Sequence, residues 1–121
     1  MEIKNTEIEA NQGVRIGRPA RWNKGYNALI QKYFEEKRNI KSCHMAWMVI
    51  DKPGEVPHYI LAITSDIPDT AIGSGLAKYC SEKLNDQVPL TDIIYDHGNP
   101  MAKVVKLFGK RIYPKRKYGL F

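Results

Sequence analysis

The residues able to do chemistry are few and scattered. Asp92, Asp96 and His97 come nearest to a metal constellation, since carboxylate and imidazole ligands bind Zn²⁺ or Mn²⁺ when they converge. Asp92 and Asp96 are about 13 Å apart along an extended strand. No further ligand stands near them in sequence, so no metal and no other cofactor is expected. Cys43 beside His44 has the residue types of a nucleophile and its base. Neighbouring strand residues point to opposite faces, however, which separates the two side chains and assigns Cys43 to the core. Cys80 falls on a helical apolar stripe and reads the same way. His44 and His58 share a strand face but lie about 13 Å apart along it, too far to share a metal. Gly13, Gly17, Gly73 and Gly75 compose neither of the glycine-rich phosphate loops. Paired catalytic carboxylates and a Ser-His-Asp set are both missing. The expectation is a protein that is not an enzyme.

Charge is the other resource. The chain has 121 residues, 19 of them Lys or Arg and 13 Asp or Glu, for a net charge of +6. Residues 1 to 12 carry −2, 13 to 41 carry +6, 42 to 96 carry −5 and 97 to 121 carry +7. The bases thus form two blocks around an acidic middle. Arg15, Arg18 and Arg21 belong to the first; Lys110, Arg111, Lys115, Arg116 and Lys117 belong to the second. Such polarity presents a basic pole to an acidic partner. Aromatic residues interleave with the late block at Tyr113 and Tyr118, the pairing of cation and stacking surface that single-stranded nucleic acid requires.

These groups are positioned by a chain long enough for one domain. Hydrophobic residues make up 43% and mean hydropathy is −0.44, the balance of a globular protein with a real core. No apolar run reaches the roughly 18 residues that span a bilayer. The first residues lack a secretory pattern, and two cysteines are too few for a disulfide framework, so the cytoplasm is the expected compartment. Residues 1 to 12 are polar and aperiodic and read as a flexible leader, with a single domain over 13 to 121.

Within that domain, Gly13 to Gly17 reads as a short edge strand. Tyr26, Leu29, Ile30, Tyr33 and Phe34 recur at helical spacing and predict a helix over 24–38. Two strand-like runs, 40–50 and 56–65, flank Pro53-Gly54, a turn signal that predicts a hairpin. A turn centred near Pro53 pairs residues whose numbers sum to about 106. Cys43 then faces Ile63, Met45 faces Leu61 and Trp47 faces Tyr59, all on the core side. Ile72, Leu76, Tyr79, Cys80 and Leu84 mark a second helix, in which Gly73 and Gly75 signal either a close packing contact or a late start. Residues 88–95 alternate as a strand. Asn99-Pro100 caps a short helix that Gly109 stops. The class is α+β, a mainly antiparallel sheet with helices on one face, in a βαββαβ order like that of the split βαβ fold, plus a short C-terminal helix. That arrangement leaves one sheet face without helices, expected to be the face of His44, Met48, His58 and Ile60.

The stretch Gly17-Arg18-Pro19 before the helix with Leu29 and Phe34, the strand with Ala46-Trp47, the His58 to Ile63 strand, Leu90-Thr91-Asp92-Ile93-Ile94 and the late Arg111-Ile112-Tyr113 together resemble one family. From Val14 to about Lys115 the chain is similar to the C-terminal domain of the enhanced-serine-sensitivity protein SseB family. The resemblance implies a bacterial cytosolic protein, usually with another domain ahead of this one, and transfers no catalytic residue. The expected function is a non-enzymatic protein-interaction domain that binds a protein partner or a second copy of itself, through His44, Met48, His58 and Ile60 and the basic ends. The alternative is a nucleic-acid-binding module using the two basic blocks; no membrane partner is expected.

Overall fold

The computed structural model describes residues 14–19, 22–37, 39–66 and 71–114. Strand β1 spans Val14–Gly17 and helix α1 spans Lys24–Glu35. The hairpin follows as β2, Ile40–Ile50, and β3, His58–Ser65. Helix α2, Ala71–Lys83, leads to β4, Thr91–Tyr95; helix α3, Pro100–Phe108, leads to β5, Lys110–Tyr113. The expected leader, residues 1 to 12, lies outside the described residues.

Local signals explain most of these elements. The Asn23 side chain accepts from the Tyr26 N–H at 3.0 Å and caps α1, whose buried stripe is Tyr26, Ile30 and Phe34. Asn99 caps α3 in the same way, accepting from the Met101 N–H at 2.9 Å, with Pro100 at the first helical position. At the hairpin turn Glu55 N–H donates to Lys52 O, and Gly54 takes the positive φ of 84° that follows a proline in this type of turn. The β2–β3 register is the expected one, Cys43 against Ile63, Met45 against Leu61, Trp47 against Tyr59.

The strands lie in chain order, β1-β2-β3-β4, with β5 also on β2. All pairs are antiparallel except β3–β4, whose parallel pairing follows from the α2 crossover. No strand is inserted between β3 and β4, so the crossover unit is not split. Strand β5 was not foreseen in the tail. It pairs with the first half of β2, beyond the point where β1 leaves the second half.

Helices α1 and α2 cover the face of Cys43, Met45, Leu61 and Ile63, building an aromatic-rich core that includes Tyr26, Phe34 and Tyr59. The two helices meet closely. A Cβ on Gly75 would fall 2.2 Å from the Tyr33 hydroxyl, and one on Gly73 would fall 2.7 Å from the Tyr95 hydroxyl, to which the Gly73 N–H donates. The glycines therefore mark packing contacts. The opposite face is not free. Helix α3 lays Met101, Ala102 and Val105 on Ala46, Met48, Ile60 and Ala62, and this second core is fully dry at its centre. The small side chains of Ala46 and Ala62 let the helix approach. Met48 and Ile60, expected at a partner surface, are both 0% exposed beneath it, which corrects the reading of that face.

Candidate functional site: a basic groove at the β1–β5 junction

Helix α3 has nine residues and is about 13 Å long, so it covers only the middle of its face. The ends of the face are left to His44 and His58. At the His58 end the ring donates from Nε2 to the Asp92 carboxylate at 2.6 Å, and its Nδ1 lies 3.0 Å from the Val56 carbonyl oxygen. The cavity there, about 280 Å³, is shallow and shared with the hairpin turn.

The His44 end is different. Strands β1 and β5 run head to tail along the same edge of β2: Gly17 pairs with Trp47, and Lys110 pairs with Met45. Their facing ends bring the residue after β1, Arg18, toward Lys110 and Arg111 at the start of β5. Gly109 makes the approach possible. A Cβ there would sit 2.4 Å from the Met45 carbonyl oxygen and 2.6 Å from that of Val105, so no larger residue fits between α3 and β2. Around this junction lies a groove of about 700 Å³, walled by Arg18, Lys110 and Arg111, by Lys106 and Leu107 from the end of α3, and by His44, Trp22 and Gln31.

The groove is cationic throughout. None of its described lining residues carries a carboxylate. Lys110 stacks its ammonium 5.5 Å from the centre of the Trp22 ring. Lys106 donates to Asp96, which also accepts from the Thr64 hydroxyl at 3.3 Å; the Lys106 hydrogen bond holds the Asp96 carboxyl below its ordinary value. His44 is half-buried, and its pKa is lowered chiefly by burial, then by the charges of Lys106 and Arg111, with Asp96 opposing. Two buried nitrogens of the lining, His44 Nδ1 and Arg111 Nε, have no hydrogen-bond partner. Arg111 Nε is always a donor, and a buried donor left unpaired costs about 1 to 3 kcal/mol; His44 Nδ1 donates or accepts according to the protonation of the ring.

Of the basic residues singled out in the sequence, Arg18, Lys110 and Arg111 come together here, from blocks at opposite ends of the chain. Arg15 is exposed on β1 and stays outside the groove. Arg21, Lys115, Arg116 and Lys117 lie outside the described residues. Lys106 and Trp22 were not singled out as site residues. Lys106 carried a signal, sitting in the last turn of a helix that ends at Gly109; Trp22 carried none beyond its place beside the Asn23 cap. The ligand-type residues of the first reading are dispersed. Asp92 holds His58, Asp96 holds Lys106, and His97 Nε2 lies 3.4 Å from the Ser65 hydroxyl. Among the described residues no three His, Cys, Asp or Glu side chains group as metal ligands. Cys43 and Cys80 are buried and free, with burial pushing both thiols up. No helix among the described residues is long and apolar enough to cross a membrane.

An α+β domain whose described residues form one sheet and three short helices, with a cationic notch where two collinear strands meet, is the class these features define. The chain belongs to the SseB protein C-terminal domain family, whose model matches residues 8–111. No match was found among curated proteins or among solved structures.

Proposed function

We propose that this domain works by binding rather than by catalysis, and that its groove docks an acidic segment of a partner protein in the bacterial cytoplasm. One observation carries the reading: Arg18 after β1, Lys110 and Arg111 of β5 and the Asp96-paired Lys106 of α3 border one concave surface whose described lining residues include no carboxylate. Cations so arranged repel one another, and an acidic ligand relieves that repulsion while steering its own approach. Leu107, at 74% exposure, adds an apolar wall, and Gln31 offers an amide to a peptide backbone. The ligand this favours is a peptide mixing acidic and apolar residues. Nucleic acid fits less well, because Trp22, the aromatic residue of the groove wall, already has Lys110 over its ring. The bacterial cytoplasm is supported by the family and by two free cysteines.

The test is fluorescence anisotropy with a labelled peptide of Glu, Asp and Leu, run beside single-stranded DNA across a salt series. Charge reversal by Arg18→Glu with Lys110→Glu is expected to weaken the peptide at least ~10-fold, about 1.4 kcal/mol. Unchanged peptide affinity in that variant, or DNA binding tighter than the peptide in the wild type, overturns the proposal.

A further inference from the structure

His44 and Arg111 are direct partners across the β2–β5 ladder. Directly opposed residues have Cβ atoms about 5 Å apart on the same face, and like-charged side chains in that position destabilise a sheet. This pair is therefore unusual in type: both side chains are hydrogen-bond donors when His44 is protonated, and neither offers the other an acceptor. It is also unusual in satisfaction. Four buried side-chain atoms among the described residues have no hydrogen-bond partner, and two of them, His44 Nδ1 and Arg111 Nε, belong to this one pair.

Among the described residues, the acid near them is already engaged by other groups. Lys106 reaches the same wall from α3, while Arg18 and Lys110 bound it from the β1 end and from β5. Asp96, after β4, is the acid that His44 senses, and it is engaged by Lys106 and Thr64. Next to the pair, the β2–β5 ladder shifts register between Cys43 and His44. This makes Ile112 the extra residue of a bulge, buried in the opposite core, so that Arg111 remains aimed at the α3 side. Bulges of this kind re-aim side chains beside functional sites. Local rules broken at one place, with the backbone adjusted to keep them broken, mark a site built for a ligand.

We infer that the facing pair His44 and Arg111, with Lys106 beside it, is an oxyanion site for a phosphate-type dianion. This inference rests on the docking reading above and names the group the partner presents there, a phosphomonoester on the acidic segment. A carboxylate brings one charge and lies in one plane. A phosphate group brings nearly two, with three acceptor oxygens that suit donors converging from β2, β5 and α3. Binding places negative charge beside His44, so the imidazole takes up a proton from solvent as the dianion enters, and affinity rises as pH falls.

Sulfate is the first probe, because it stays dianionic over the whole pH range. NMR titration of the His44 ring is expected to show sulfate and inorganic phosphate raising the pH at which it titrates, with the effect lost in Arg111→Gln and kept in Lys52→Gln at the hairpin turn. Arg111→Gln removes a buried unpaired donor, so its thermal midpoint should stay near that of the wild type; should it not fold, Lys106→Gln, which keeps the His44 ring as the readout, is the second variant and is expected to weaken the same effect. An acidic peptide bearing phosphoserine is expected to bind at least ~10-fold tighter than its serine counterpart at pH 6.5, a gain absent from Arg111→Gln. If neither sulfate nor phosphate moves the His44 titration, the oxyanion site is wrong. Should the serine and phosphoserine peptides bind alike and Arg111→Gln change nothing, the inference falls and the docking reading survives. A sulfate and phosphate response with no peptide binding supports the oxyanion site, identifies its ligand as free phosphate, and rejects docking.

Discussion

The two faces of the sheet are closed by different means. Over Cys43, Met45, Leu61 and Ile63, helices α1 and α2 bring large aromatic side chains: Tyr33 packs edge-on to Phe34 at 5.7 Å and against Tyr79 at 5.4 Å, and Phe34 in turn contacts Tyr113. Over Ala46, Met48, Ile60 and Ala62 the described residues place α3 alone, short and packed through small residues. The first face carries two helices. On the second, buried cover runs from Ala46 to Ile50, and His44 and His58 are half-buried at its flanks. Ionisable groups can persist where cover runs out, since water or a ligand still reaches them there, whereas the same groups under α1 and α2 would meet only hydrocarbon. The candidate site is thus a consequence of a helix too short for its sheet.

Unequal cover implies unequal cost when atoms are removed. Phe34→Ala, at the sealed face, is expected to destabilise the fold by about 4 kcal/mol, and Val105→Ala, under α3, by about 2 kcal/mol. Denaturant unfolding measures both, and equal losses would erase the distinction between the faces. Removing the α3 cap with Asn99→Ala should cost about 1 kcal/mol and loosen α3 preferentially, seen as faster amide exchange over Met101–Val105 than over α1.

Acid acts on the open end through two groups, in two pH ranges. His44 at the open end has a folded pKa below its ordinary 6.5, so the unfolded chain binds more protons as pH drops under that value. Its contribution is fully present above pH 6.5 and is lost as pH falls toward the folded value. Asp96 is depressed from 3.8, so its contribution is present above pH 3.8 and is lost only in stronger acid. His44→Gln should flatten the stability curve just below pH 6.5 and leave the later fall intact; an unchanged curve would place His44 in contact with bulk solvent. The smallest effect belongs to Lys41 and Asp66, an exposed pair 3.4 Å apart, where Lys41→Met should change stability by less than about 0.5 kcal/mol.

What was readable in the chain was local. The stripe Tyr26, Ile30 and Phe34, the Asn99 cap, the Pro53-Gly54 turn and the hairpin register each depend on residues a few positions apart, and each is observed as expected; the Asn23 cap, equally local, was not read. The misreading of Met48 and Ile60 has a physical cause. A face of Ala46, Met48, Ile60 and Ala62 is apolar enough to require a helix, but which helix covers it depends on the path of the chain after β4, and alternation along β2 carries no record of that path. Strand β5 was hidden by its charge. Lys110 and Arg111 read as a basic tail until Ile112 and Tyr113 are seen packing on the α1 side.

The amino-acid sequence by itself determined the elements other than β5, the α3 cap, the hairpin turn, the pairing of β2 with β3 and the membership of a family, because these rest on residue pattern and on short-range backbone chemistry. Tertiary structure alone decided that two basic blocks some ninety residues apart face one another. Arg18 and Lys110 meet because β1 and β5 compete for the same edge of β2 and divide it between them. Strand pairing is satisfied by any backbone with free hydrogen-bonding groups, so side-chain pattern leaves the choice of edge partner open. The closure of α3 onto the second face settles that choice, and with it the place where the cations gather.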